Sequence, residues 1–308
     1  MSFLFKNGFA INPSQELNPS LRISPFTSRH IALNKSIYTN NRNNVSCLAK
    51  SFIGNNYVFT SSGKKAISLA LKYYNLESED NVWILTTSGN KYISGCVTHE
   101  IEKQCKWSRE YKENTKVIFV NHEFGYPFTN WEILNYNLPI IEDVAHSFFS
   151  TDGTNTTLKG DFVIYSLPKY FPLQFGGILK INNGAQLFSD LTEDANSYLR
   201  VLVDHYLQEA DVIKSKRLSN YYYYKDLFAT INYSPHFEMK KGIIPGVFMF
   251  DIPNTDGGEL KKFMQGNGVE SSVFYGRDAF FVPINQALEE PHLELIFSLC
   301  QVFIHGNF

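Results

Sequence analysis

The chain has 308 residues, 44% of them apolar, with 26 Phe and 18 Tyr, a composition that supports a large packed core and excludes a disordered polymer. Its 28 basic and 30 acidic residues leave a net charge of −2 with no long basic run, which argues against general nucleic-acid binding. No window approaches a membrane span, and the start, Met1-Ser-Phe-Leu-Phe-Lys6, lacks the apolar run of a signal peptide, so a cytoplasmic globular protein is expected. Cys47, Cys96, Cys105 and Cys300 are scattered without the paired spacing of a zinc site; they read as reduced thiols, and no metal is expected.

Taken in chain order, the sequence alternates strands and helices. Tyr57-Val-Phe-Thr60 reads as a short strand that turns at Ser61-Ser-Gly63 into a helix whose apolar positions are Ala66, Ile67, Leu69, Ala70 and Leu71. Val82–Thr86 is a second strand, followed by a helical run around Tyr92–Ile101, and Lys116–Val120 is a third strand. Leu138–Ile141, Phe162–Tyr165 and Gly177–Ile181 add three more. Continuous apolar strands separated by helices predict a mainly parallel sheet covered on both faces, an α/β domain over residues 1–190.

From about Asn183 the periodicity becomes helical through Tyr224. A strand at Val247–Phe250, a helix at Glu259–Gln265, a strand at Ser272–Tyr275 and a closing helix at His292–Ile304 then predict a smaller C-terminal α+β domain over 191–308.

In an open α/β sheet a ligand sits beyond the carboxyl ends of the strands, which directs attention to residues at those ends. Ser62-Gly63-Lys64 lies where a strand passes into a helix, a place that can hold an anion such as phosphate or simply cap the helix. Glu142-Asp143 ends the strand begun near Leu138, and alternation sends the two carboxylates to opposite sides, so one of them can face a cleft. There it could hold a pyridine nitrogen protonated or serve as a plain cap. Phe162–Ser166 leads through Leu-Pro to Lys169, whose amine could form a Schiff base if its surroundings keep it partly neutral. Gly176-Gly177 allows close backbone approach to a ligand or to a neighbouring segment.

Four segments in fixed order, Ser62-Gly63-Lys64-Lys65-Ala66-Ile67, His122-Glu-Phe-Gly125, Glu142-Asp-Val-Ala-His146 and Ser166-Leu-Pro-Lys169 with Gly176-Gly177, carry a resemblance. From roughly Tyr57 to Lys180 the chain resembles the DegT/DnrJ/EryC1/StrS family of sugar aminotransferases, which depend on pyridoxal 5′-phosphate (PLP). The late segment Val269–Tyr275 matches only loosely, Lys64 replaces the family's usual Thr, the stretch between Tyr92 and His122 looks shortened, and the family's Gly-Tyr-Asn element has no recognisable counterpart.

The resemblance implies the PLP-dependent transferase fold of the aspartate aminotransferase type (fold type I). It implies Lys169 as the Schiff-base lysine that also moves the proton, and Asp143 as partner of the pyridinium nitrogen. His146 would lie near the ring, Ser166 and Ser62, Gly63 and Lys64 at the phosphate, Tyr92 stacked on the ring, and His122 at the substrate. It further implies a homodimer that transfers an amino group from an amino acid, glutamate in the first instance, to a nucleotide-linked keto sugar for surface polysaccharide assembly.

Family dehydratases carry histidine in place of the lysine, so Lys169 favours transamination. Ser166-Leu-Pro-Lys169 is also formally a Ser-x-x-Lys motif of acyl enzymes, but the companion Ser-Asp-Asn and Lys-Thr-Gly motifs are missing. The remaining alternative is a trimmed family member that binds PLP as a non-catalytic partner subunit.

Overall fold

The apolar runs expected as buried strands pair side by side. In the computed structural model, which describes residues 20–42, 48–151 and 158–305, β2 (Asn81–Thr86), β4 (Thr115–Asn121), β5 (Ile140–Asp143) and β6 (Phe162–Ser166) pair in parallel in the order 2-4-5-6. A three-residue strand, β3 (Lys106–Ser108), adds a parallel outer edge to β2. At the other side β7 (Gly177–Ile181) runs antiparallel to β6, and β1 (Tyr57–Thr60) antiparallel to β7. The sheet order is β1-β7-β6-β5-β4-β2-β3, the mainly parallel α/β sheet the sequence predicts.

Each face of the sheet is covered by a different kind of element. Ala66, Ile67, Ala70 and Leu71 recur at helical spacing on α3 (Gly63–Tyr73) and pack, with Val97 and Ile101 of α4 (Gly95–Glu102), on Val82, Ile84, Val117 and Phe119. On the opposite face Ile118, Val120 and Ile140 meet Phe128 and Ile133 of the β4-to-β5 crossover. That crossover, residues 122–139, contains two 3-10 turns, Glu123–Gly125 and Trp131–Tyr136. Between Tyr92 and His122 the chain forms α4, β3 and β4, and the crossover that follows is built of 3-10 turns with no α-helix.

Three further helices belong to the same unit. α1 (Arg29–Asn41) and α2 (Leu48–Ile53) both pack on α5 (Glu193–Gln208). α1 buries His30, Asn34 and Ile37, and the Asn34 amide donates to the Pro172 carbonyl at 2.9 Å and accepts from the Tyr206 hydroxyl. Because α5 is held by these helices, the chain divides later than residue 190. The larger unit comprises 24–215 and 239–245, and the division falls inside α6 (Ala210–Ala229).

The smaller unit comprises the rest of the described chain. Its sheet is antiparallel in the order β8 (Val247–Asp251), β10 (Ala279–Pro283), β9 (Ser272–Val273), accompanied by α7 (Gly257–Gly266) and α8 (Glu290–His305). Residues 20–23, at the start of the described chain, also belong here: Leu21 forms a bridge with Val269, and the Ile23 N–H donates to Glu270 at 2.9 Å. Among the described residues no helix is long and apolar enough to cross a membrane. Cys96 is exposed, Cys105 and Cys300 are buried, and all three are free thiols; Cys47 lies outside the described residues.

The glycine pair at the start of β7 sets the spacing of this framework. Gly176 has φ +114°, which only glycine adopts without strain. Gly177 has an ordinary φ but no room: a Cβ there would lie 2.7 Å from the Ser62 carbonyl carbon and 2.8 Å from the Gly63 nitrogen. The close approach is to a neighbouring segment, the turn that opens α3. Gly177→Ala must push β7 away from that turn, and overpacking of this kind costs about 1–3 kcal/mol. Urea unfolding should show that loss; an unchanged midpoint would contradict the packing described.

Candidate active site

The strand topology gathers the sequence-predicted residues at one edge. Asp143 ends β5, Ser166 ends β6, Gly177 begins the antiparallel β7, and Thr60 ends β1; Gly177 pairs with both Ser166 and Thr60. All four therefore lie at the carboxyl ends of the parallel strands, where a helix N-terminus, that of α3, also arrives.

Ser62 caps α3, its hydroxyl accepting from the Lys65 N–H at 3.2 Å. The first helical turn carries Lys64 and Lys65 and no acidic residue, the reverse of what the helix dipole favours, a conflict that a bound anion would offset. Ser166 packs directly on this turn: a Cβ on Gly63 would lie 3.2 Å from the Ser166 Cβ and 3.6 Å from its hydroxyl oxygen. Ser62, Gly63, Lys64 and Ser166 are thus brought together. Ser61, which precedes them, donates from its backbone N–H and its hydroxyl to Asp190, at 3.0 and 2.6 Å.

The two carboxylates of β5 part as strand alternation requires. Glu142 is completely buried; one oxygen accepts from His122 Nε2 at 2.8 Å and the other from the Gly160 N–H. His122 Nδ1 accepts from the Phe128 N–H at 3.1 Å, which fixes the proton on Nε2. His122, expected to meet the substrate, is therefore buried with both ring nitrogens engaged, and its backbone N–H donates to the Asp143 carbonyl at 3.0 Å. It is placed to position Asp143.

Asp143 lies on the other side of β5. Its carboxylate accepts from the Ala145 N–H at 2.9 Å and from the Asn121 amide at 3.3 Å. Burial raises its pKa above the usual carboxylate range, and the Ala145 bond, His122, Asn121 and the Lys169 ammonium partly oppose that rise. Lys169, half-buried at the end of the 3-10 turn Leu167–Lys169, is thus near enough to act on Asp143 electrostatically.

His146 is half-buried, its ring centroid 5.3 Å from that of Phe124, and its backbone carbonyl accepts from the Tyr170 hydroxyl. Tyr92 is half-buried in the segment between β2 and α4. Sequence reasoning did not single out Asn121, Tyr170 or Asp190. Asn121 carried a usable signal, being a polar residue at the end of an apolar strand.

A family model for PLP-dependent aminotransferases matches residues 48–228, more than half of the chain. The chain belongs to that family. Among solved structures, the aminotransferase TlmJ from Streptoalloteichus hindustanus superposes with a TM-score of 0.73 at 12% identity, covering 94% of this chain and 100% of its own. A DegT DnrJ EryC1 StrS aminotransferase from Brucella abortus gives 0.67 at 12% identity, with 91% and 96% covered. DesV from S. venezuelae gives 0.65 at 12% identity, with 90% and 95% covered. These likenesses establish the fold. No curated protein matches the sequence.

The residues present suit PLP. The cofactor requires an amine, an anion for its ring nitrogen and an anchor for its phosphate. The aminotransferase offers Lys169, the desolvated Asp143, and the Ser62–Lys64 turn with Ser166 packed on it. The raised pKa of Asp143 has a sign that can be tested without cofactor. A carboxyl held above its unfolded value contributes stability that is fully present below about pH 4 and is lost as pH rises through its folded value. Asp143→Asn removes that loss. In ligand-free protein, the melting temperature of the variant minus that of wild type should become more positive from about pH 4 to about pH 7, as carboxyl ionisation proceeds. A constant difference would contradict the assignment.

Proposed function

We propose that this aminotransferase is a sugar aminotransferase of the DegT/DnrJ/EryC1/StrS type. It takes the amino group of an amino acid, glutamate in the first instance, and gives it to a keto sugar linked to a nucleotide. It acts as a cytoplasmic homodimer in the assembly of a surface polysaccharide. The observation that carries this reading is the meeting of Lys169, Asp143 and the Ser166–Gly63 contact at one strand-end edge. The order of the sequence motifs supports the sugar as acceptor.

Each residue has a distinct task. PLP, when bound, supplies the electron sink that lets a carbon bearing the amino group lose its proton. Lys169 Nζ takes and returns that proton. Asp143, desolvated and buried, favours a cationic partner opposite it, because burial that disfavours a lone carboxylate strengthens its attraction to a nearby positive charge. The Ser62–Lys64 turn and the Ser166 hydroxyl hold phosphate through backbone N–H groups, the helix dipole and the Lys64 charge. His146 and Tyr92 border the ring. His122 acts through the strand, gripping Glu142 on the buried side and the Asp143 carbonyl through its own N–H.

Purified protein saturated with PLP should show the visible absorbance of lysine-bound cofactor, and L-glutamate should bleach it as the amino group is transferred. Lys169→Ala should abolish both the band and the response, a rate loss of at least about 10³-fold, consistent with removal of a covalent and proton-transferring group. A band that glutamate leaves unchanged would contradict glutamate as donor. A variant that still transfers the amino group would contradict the role of Lys169.

A further inference from the structure

The β4-to-β5 crossover, built of 3-10 turns, leaves an opening in the large unit. Parallel strands are usually joined through an α-helix that covers the sheet. Here 3-10 turns stand in that place, and the face of β2 beneath them is incompletely covered: Trp83 and Leu85 remain partly exposed, whereas Val82 and Ile84 on the other face are fully buried. Beside Trp83 and Leu85 lies a cavity of about 840 Å³, large enough for a small-molecule ligand. Its lining includes none of the residues assigned above to PLP or substrate.

Three features define what would fit. Trp83, Tyr111 and Tyr136 form a packed aromatic group, with ring centroids 5.0 Å apart for Trp83 and Tyr136, 4.7 Å for Tyr111 and Tyr136, and 5.8 Å for Trp83 and Tyr111. Trp83 and Tyr136 line the cavity, and Tyr136 is 46% exposed. The indole N–H of Trp83 is buried and has no acceptor among the described residues, so Trp83 is offered to a ligand as a ring and not as a donor. The electron-rich ring faces suit the polarised C–H face of a saturated ring.

The charges argue for a neutral ligand. Lys91 and Arg109 in the lining are balanced by Glu110 and Glu132. The Arg109 fork is directed at protein oxygens, Nη1 donating to the Ile84 carbonyl at 2.5 Å and Nη2 to Thr86 Oγ1 at 3.1 Å and to the Asn90 carbonyl. It is therefore not presented as a phosphate clamp. The amides of Asn130 and Asn135 add side chains that both donate and accept, as hydroxyl groups require. We infer that this cavity binds a neutral hexopyranose ring at a site separate from the aminotransfer site. The inference does not rest on the identity of the acceptor.

Saturation-transfer NMR on the PLP-loaded protein, with methyl β-D-glucopyranoside and N-acetyl-D-glucosamine as probes and uridine monophosphate as the anionic, stacking control, tests it. At least one sugar should receive saturation from wild type and from Lys169→Ala alike. Tyr136→Ala should weaken that binding roughly tenfold by removing the stacking face. Circular dichroism and thermal unfolding verify that each variant is folded, and Tyr136→Phe, which keeps the stacking face, should bind as wild type does. Absence of signal from both sugars, binding that Lys169→Ala abolishes and Tyr136→Ala spares, or uridine monophosphate binding in place of the sugars would each overturn the proposal. So would sedimentation showing that Tyr136→Ala converts a dimer to a monomer, because the aromatic group would then be an interface between copies.

Discussion

The contact between Gly177 and the Ser62–Gly63 turn is the constraint on which the strand-end edge depends. β7 can lie against the start of α3 only because residue 177 has no Cβ, the nearest atoms being 2.7–2.8 Å from where one would be. β7 pairs with β1 on one side and β6 on the other, and Ser166 packs on Gly63 beside that contact. A phosphate-sized anion could then meet the helix dipole of a first turn that carries Lys64 and Lys65, together with a hydroxyl from a different strand. In the proposed reading, phosphate anchoring would be a packing property of the sheet, present before any ligand arrives.

The second organising element is the alternation of charge across β5. Glu142 and Asp143 are adjacent in sequence and both buried, yet they belong to different networks. Glu142 is matched by His122 and by the Gly160 N–H, so both of its oxygens have partners. Asp143 has weaker support, and burial raises its pKa. A buried carboxylate left short of partners is costly in a resting protein and useful opposite a cationic ring nitrogen. The His122–Glu142 pair supplies rigidity to the strand that presents it.

The central sheet was legible in the sequence because its strands are unbroken apolar runs, and β1 and β7 fall on the expected residues. α3 was legible through the spacing of Ala66, Ile67, Ala70 and Leu71. α1 was not, since two of its three buried residues, His30 and Asn34, are polar and contribute through hydrogen bonds, leaving no apolar stripe to detect. β10 offered a run of five buried residues, Ala279–Pro283, whose burial between β8 and β9 emerges only from the pairing. The convergence of Ser62–Lys64, Asp143, Ser166 and Lys169 was readable from motif order. The engagement of both His122 nitrogens was not, because its partners Glu142 and Phe128 are set by the fold of the crossover. Likewise, the helical pattern after Asn183 gave no sign that the division between units would fall inside α6, since that depends on α5 packing against α1 and α2.

The most direct measurement is to load the protein with PLP, reduce it with borohydride to make the lysine–cofactor bond permanent, and locate the modified peptide by mass spectrometry. The account predicts a single phosphopyridoxyl adduct on Lys169, formed in wild type and lost in Lys169→Ala. An adduct on Lys64, Lys91 or another lysine in the wild-type protein, or no adduct at all, would contradict it.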